Sequence, residues 1–211
     1  MARRAAVRQH PDKRPNKGSG QLRIIGGQWR SRKLPVADLP GLRPTSDRVR
    51  ETLFNWLMPH VPGARVLDCF SGTGALSFES LSRGAKEAIL LETAAEAASQ
   101  LDKNLKTLQA DNARVIRTDS LKWLQQSADK AFDLIFLDPP FRQGLLAETC
   151  RLLDENGYLH SNTLIYVEVE KELSPLPVPA NWTVIKTKMA GQLSYCLLAI
   201  EKSPHPAFAE H

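Results

Sequence analysis

Residues 138–141 read Asp-Pro-Pro-Phe and close the apolar run FDLIFL at 132–137. Proline fixes φ and has no N–H, so two in succession end a strand. Pro139 also keeps Asp138 out of the helical region. The Asp138 side chain and the Pro139 carbonyl become a stiff pair of acceptors, with the Phe141 ring beside them. That set suits the exocyclic amine of a nucleobase. The lone pair of such an amine is delocalised into the ring, and acceptors on its two N–H groups favour a more tetrahedral nitrogen. The base itself can stack on Phe141, a contact worth about 1–3 kcal/mol. A D-P-P turn that merely ends a strand is the competing reading, and the surrounding residues weigh against it.

The first of these is LDCFSGTGALS at 67–77, a glycine-rich turn running from a strand into a helix. Such a turn lets a ligand approach the backbone and helix N-terminal amides. Gly72 and Gly74 are the positions where a side chain would obstruct it, and Asp68 and Phe70 flank them as further cofactor candidates. The third glycine of a dinucleotide fingerprint is replaced by Ser77, which favours a ligand without a pyrophosphate, and no P-loop pattern occurs. Ser77 and the lack of an evident hydride-handling His or Lys also disfavour a dehydrogenase. Glu92 closes the next strand, where a carboxylate can accept from both hydroxyls of a ribose. Asp119, with Ser120 after it, follows the third strand; it could meet an adenine amine or simply cap the next helix. The three acids put an adenosine-like ligand along the carboxyl ends of adjacent strands.

The elements that must hold these residues follow from periodicity. ARVLDCF, AILLE, ARVIR, FDLIFL and TLIYVEVE read as strands, with helices TGALSFESLSRG, 94–109, SLKWLQQS and 143–157 between them. Alternation of this kind, with continuous apolar strands, indicates an α/β fold with a parallel sheet covered on both faces. WTVIKTKM and LSYCLLAIE form a closing antiparallel pair. Ahead of the sheet, residues 22–36 suggest a short hairpin around Gly26-Gly27. A helix then follows, capped by Ser46 or Asp47, with Val49, Leu53, Phe54 and Leu57 on one face.

Charge is segregated. Residues 1–50 carry 13 Lys+Arg against 3 Asp+Glu, leaving 15 against 20 for the remainder. A basic arm on an acidic body suggests a polyanionic partner. Arg23, Trp29, Arg30, Arg32 and Lys33 on the hairpin, with Arg48 and Arg142, are the candidates for gripping RNA, although Trp29 could equally pack beneath the hairpin. Residues 1–20 read as a disordered basic arm, 21–62 as an RNA-binding extension, 63–202 as the chemical domain and 203–211 as a flexible tail. Cys69, Cys150 and Cys196 are odd in number and set among apolar neighbours, as in reduced cytoplasmic proteins. The scattered histidines offer no metal site. No apolar stretch approaches the roughly 18 residues that cross a bilayer. Nothing demands more than a monomer.

DCFSGTGAL, Glu92 and DPPF together resemble the class I S-adenosylmethionine-dependent methyltransferases that modify amino groups. LRIIGGQWRSRKLPV, GLRPTSDRVRETLFNWL and DPPFRQGLL narrow the resemblance to the RsmD family of bacterial 16S ribosomal RNA guanine-N2 methyltransferases, over about residues 20–200. The resemblance implies a Rossmann-like, seven-stranded sheet in which the glycine-loop strand neighbours the DPPF strand. It also implies that Pro44 and Thr45 approach the cofactor, S-adenosylmethionine, and that the substrate is the assembled small ribosomal subunit. One departure is Ala94, where many relatives carry Asp or Asn. The rival functions are adenine-N6 methylation of nucleic acid and a non-catalytic RNA-binding module.

Overall fold

The computed structural model describes residues 20–42 and 44–201. The proposed disordered arm, save Gly20, and the 203–211 tail lie outside the described residues. Fourteen elements follow in chain order: β1 (Gln21–Arg23), β2 (Lys33–Pro35), α1 (Asp47–Leu57), β3 (Arg65–Asp68), α2 (Ala75–Ser82), β4 (Glu87–Glu92), α3 (Ala95–Leu108), β5 (Ala113–Arg117), α4 (Ser120–Leu124), β6 (Leu134–Leu137), α5 (Leu145–Glu155), β7 (Leu164–Glu170), β8 (Trp182–Ala190) and β9 (Leu193–Ile200).

Seven strands form one sheet in the order β5-β4-β3-β6-β7-β9-β8. The first five run parallel, and β9 and β8 close it antiparallel. The glycine-loop strand β3 lies beside β6, as expected. Chain order reverses between them, and open α/β sheets bind ligands at such a switch point.

Strand alternation divides the core in two. Leu134, Phe136, Leu164, Tyr166, Tyr195 and Leu197 point to the face covered by α1, α2 and α3. Ile135, Leu137, Ile165, Val167, Cys196 and Leu198 point to the face covered by α4 and α5. All three cysteines are buried free thiols. The sheet ends on β8, where Val184, Ile185 and Met189 are exposed. Among the described residues no helix is long and apolar enough to cross a membrane.

The N-terminal segment shares the first of these cores. Leu22, Ile24, Leu34 and Val36 belong to the same apolar cluster as Val66, Leu90 and Phe136. Its hairpin forms around Gly26-Gly27 as expected, with paired strands of only three residues each and Gly26-Gly27 in the loop that joins them. This loop lies on the end of α2, where Gln28 N–H donates to the Ser82 carbonyl at 2.7 Å and Trp29 N–H to Ser82 Oγ at 2.9 Å. Gly27, at φ +72°, is required by that approach, since a Cβ there would stand 1.8 Å from the Ser82 carbonyl oxygen.

Helix α2 is consequently buried along its whole length between sheet and extension. Its Glu79 is 1% exposed. One oxygen takes the Ile25 N–H at 2.9 Å and lies 3.6 Å from Arg50 Nη1; the other accepts from Arg83 Nε at 2.8 Å. Arg50, also 1% exposed, donates to the carbonyls of Thr45 and Arg23 and to Asp47. In α1, Ser46 is the N-cap and accepts from Val49 N–H.

Glu79→Gln leaves Arg50 and Arg83 without their shared, buried counter-charge. We expect it to lower unfolding free energy by about 3–5 kcal/mol, read as a shift of the urea midpoint. A shift within experimental error would mean that the network does not anchor the extension.

Candidate active site

The carboxyl ends of β3, β4 and β6 open into a cavity of about 1110 Å³. Its far wall is the chain just before α1, with Leu39, Leu42, Pro44, Thr45 and Ser46. Arg50 fixes this wall through the hydrogen bond from its Nε to the Thr45 carbonyl at 3.1 Å. Asp68, Phe70, Gly72, Glu92, Asp119, Ser120, Asp138, Pro139 and Phe141, all expected from sequence, line the same space.

Gly74 does not. It sits at φ +76° as the residue before α2, and a Cβ there would lie 2.5 Å from Phe78 and 2.6 Å from Leu101. Helix packing and the positive φ both demand a glycine there. Ser77, at the missing third-glycine position, has a duty of its own: its hydroxyl donates to Asp68 Oδ2 at 2.7 Å.

The glycine turn is tied down on both sides. Cys69 N–H bonds the Phe136 carbonyl of β6, and Ser71 N–H bonds the Leu91 carbonyl of β4. Ser120 Oγ bonds the Cys69 carbonyl, which fixes α4 against the turn. Glu92 accepts Gly72 N–H on Oε2 at 2.9 Å and Ala94 N–H on Oε1 at 2.8 Å. Position 94 therefore acts through its backbone. Oε1 also accepts the Thr93 hydroxyl at 3.5 Å, while Oε2 retains a lone pair for a ligand hydroxyl. Asp119 does cap α4, accepting Lys122 N–H on Oδ1 at 2.9 Å, and it also lines the cavity.

Asp138 is held differently. Among the described residues no hydrogen bond reaches its carboxylate, and Phe141 beside it is 46% exposed. The next residue, Arg142, takes φ +61°, with its N–H on Glu170 Oε1 at 3.2 Å. With Gly144 at φ +66°, this delays α5 to Leu145, two residues later than the sequence suggests.

Five carboxylates line the cavity, namely Asp68, Glu92, Asp119, Asp138 and Glu168, and its described lining contains no lysine or arginine. Glu168, on β7, was not singled out in the sequence. Burial pushes Asp68 up to about 7, opposed by the Ser77 and Phe70 hydrogen bonds and assisted by Glu92. Burial, then the charges of Glu168 and Asp68, hold Asp138 well above the ordinary carboxylate range. Burial also raises Glu168, against the Tyr166 hydroxyl bond. A space of this kind rejects phosphates and favours a cationic ligand rich in N–H and O–H donors.

The basic candidates lie on the outer side of the wall. Arg30, Lys33 and Arg48 are exposed and form no ion pair among the described residues. Arg23 is paired with Asp47 at 2.7 Å, and Arg32 donates to the Thr107 carbonyl on α3. Trp29 is half-buried against the core.

Residues 22–199 match the family model described as conserved hypothetical protein 95. The chain is 56% identical over 186 residues to the ribosomal RNA small subunit methyltransferase D of Escherichia coli (strain K12), covering 88% of this chain and 93% of that one. A solved putative methyltransferase from Escherichia coli superposes with a TM-score of 0.81 at 52% identity, over 86% of this chain and 99% of the other. A more distant structure, the Thermus thermophilus 16S rRNA N2 G1207 methyltransferase in complex with AdoMet and guanosine, superposes with a TM-score of 0.65 at 21% identity. It covers 87% of this chain and 50% of that one, and shows the shared fold. The architecture is that of the class I methyltransferases.

Asp68 carries a pH signature. Its folded-state pKa, about 7, stands above the ordinary 3.8. The stability it contributes is full below about pH 4 and is lost as pH rises through about 7. Asp68→Asn removes that loss, so the melting temperature of the variant minus that of the wild type should climb from pH 5 to pH 8. A flat difference would place Asp68 in contact with solvent.

Proposed function

The chain belongs to the RsmD family of ribosomal RNA small subunit methyltransferases, and we propose that it transfers a methyl group from S-adenosylmethionine to N2 of a guanine in 16S ribosomal RNA, within the assembled small subunit. The observation that carries this reading is the Asp138 carboxylate, which has no hydrogen-bond partner among the described residues and lines an acidic cavity with an exposed phenyl ring next to it. The carboxylate is half-buried and opens into the cavity, so its acceptor capacity is free for a donor on a ligand.

The cavity fits the cofactor chemically. The sulfonium and ammonium of S-adenosylmethionine are cations, its ribose and adenine present donors, and it carries no phosphate. Asp68, on the side of the glycine turn, would face positive charge. Glu92 would accept the ribose hydroxyls while keeping its grip on Gly72 and Ala94, and Asp119 and Ser120 border the end suited to adenine. Pro44 and Thr45 would close over it. When bound, the cofactor supplies an electrophilic methyl group.

The protein's own part is at the amine. Asp138 would accept one N2–H, and the Pro139 carbonyl would accept the other. Phe141 would stack on a base drawn out of its surroundings, which is least costly for a guanine already in a loop. N2 must lose a proton as it gains a methyl group, and a carboxylate whose pKa is raised by burial is better fitted to receive it. Arg30, Lys33 and Arg48 would meet backbone phosphates, with Arg142 at the cavity mouth. A ribosomal substrate places the working enzyme in the cytoplasm.

Labelled S-adenosylmethionine, supplied with undermethylated small subunits and followed by nucleoside digestion, should put label in N2-methylguanosine; label in N6-methyladenosine would overturn the guanine assignment. Asp138→Asn should lower turnover by about 10²–10³ while raising the melting temperature of the ligand-free protein, since it removes one negative charge from beside Glu168 and Asp68. Near-normal turnover would refute the role given to Asp138. Replacing Arg30, Lys33 and Arg48 together by alanine should weaken subunit binding and reduce the slope of log K against log salt by about 0.7 for each phosphate no longer neutralised. An unchanged slope would move the RNA surface elsewhere.

A further inference from the structure

Glu168 has no task in the reaction as described. It lies on β7 in LIYVEVE, on the strand face that also carries Leu164 and Tyr166, both packed in the core. It is only 6% exposed. An unpaired acid in such a position is costly, and acids are rarely buried there without a partner. Half of this one is satisfied. The Tyr166 hydroxyl donates to Oε2 at 2.8 Å, which fixes the side chain, while Oε1 accepts no hydrogen bond among the described residues. The same side chain lines the cavity.

The sheet register says where. β6 and β7 pair from Leu134 with Leu164 through to Leu137 with Val167. Continued by one residue, the same register sets Glu168 beside Asp138 on the same face, on strands about 4.8 Å apart. Two carboxylates side by side, both with free acceptor capacity, call for a ligand edge bearing two adjacent N–H groups. Among the amino-bearing bases, guanine has that edge: its ring N1–H adjoins its N2 amine. In adenine and cytosine the ring nitrogen beside the amine is itself an acceptor.

We propose that Glu168 selects guanine, accepting N1–H while Asp138 accepts the neighbouring N2–H. This rests on the reading that Asp138 holds the target amine. With adenine or cytosine in the same place, the Glu168 oxygen would face a lone pair in a desolvated site. Sites built to receive an N–H reject analogues without one by large factors. Tyr166 is then a positioning residue, since its hydroxyl aims the carboxylate. Pro139 and Phe141 would treat any flat base bearing an amine alike, so this carboxylate is the part of the floor that reads base identity.

The test separates amine from ring nitrogen. 2-Aminopurine keeps the 2-amine of guanine, but its N1 is an acceptor. Small subunits reconstituted with 16S RNA carrying either guanine or 2-aminopurine at the target position are offered with labelled S-adenosylmethionine. The wild type should favour guanine by about 10² or more in kcat/KM. Glu168→Gln can turn its amide N–H toward the acceptor N1. Its preference should collapse toward unity, with guanine methylation falling and 2-aminopurine methylation rising, while cofactor affinity holds. Tyr166→Phe, which keeps the carboxylate but removes its tether, should lower the preference in part and covers the case in which the first variant does not fold. A wild-type guanine preference retained in both variants, with equal losses on both substrates, would overturn the proposal and leave the guanine-N2 function standing. Failure of the wild type to label guanine at all would remove both.

Discussion

The wall that closes the site is held in place by one carboxylate that does not line the cavity. Glu79, buried in the middle of α2, binds the hairpin through the Ile25 amide and faces α1 through Arg50. Arg50 in turn grips the Thr45 carbonyl, and Thr45 is part of the cavity wall. A buried ion pair is weak evidence for stability, because desolvation offsets most of the attraction. Its value here is directional. A guanidinium with donors in a fixed fork sets the angle at which the extension meets the sheet, where an apolar contact would tolerate sliding.

Buried charge is therefore used in two opposite ways. Around Glu79 the acids are matched by arginines and the structure is closed. At the strand ends the acids have no counter-charges among the described residues, and burial drives the Asp68, Asp138 and Glu168 pKa values upward. The second arrangement stores electrostatic strain that a cationic, donor-rich ligand relieves. The fold tolerates the strain because the surrounding core is continuous on both faces of the sheet.

What the sequence revealed follows the same division. Asp138, Glu92 and Gly72 were legible because each ends a strand next to punctuation: a proline pair, a loop, a glycine turn. Gly74 stands in the expected turn, and part of its need for glycine was not legible, since a Cβ there would strike Leu101, which only tertiary packing brings near. Gly26-Gly27 does lie between the paired strands of a hairpin, as two glycines between β-prone runs suggest, but what its loop packs against was not legible. Its partner, the end of α2, is more than fifty residues away in sequence. Glu79 in a helix and Glu168 in VEVE carry no local signal in the sequence. The partner strands and helices that bury them are set by register and layer order, which local periodicity does not encode.

The extension also explains how one short segment serves two surfaces. Pro44, Thr45 and Ser46 line the acidic cavity on one side and, on the other, a smaller groove bordered by Arg23, Lys33 and Arg50. A strip three residues wide thus separates negative from positive ground. Charges of opposite sign this close would partly cancel if they could approach freely. Arg50 stays on its own side, because it is buried and commits Nε to the Thr45 carbonyl and Nη2 to the Arg23 carbonyl and Asp47. The acidic pocket stays acidic and the outer surface stays basic. A polyanion following that outer surface is led to the rim of the pocket, while its phosphates are kept from entering it.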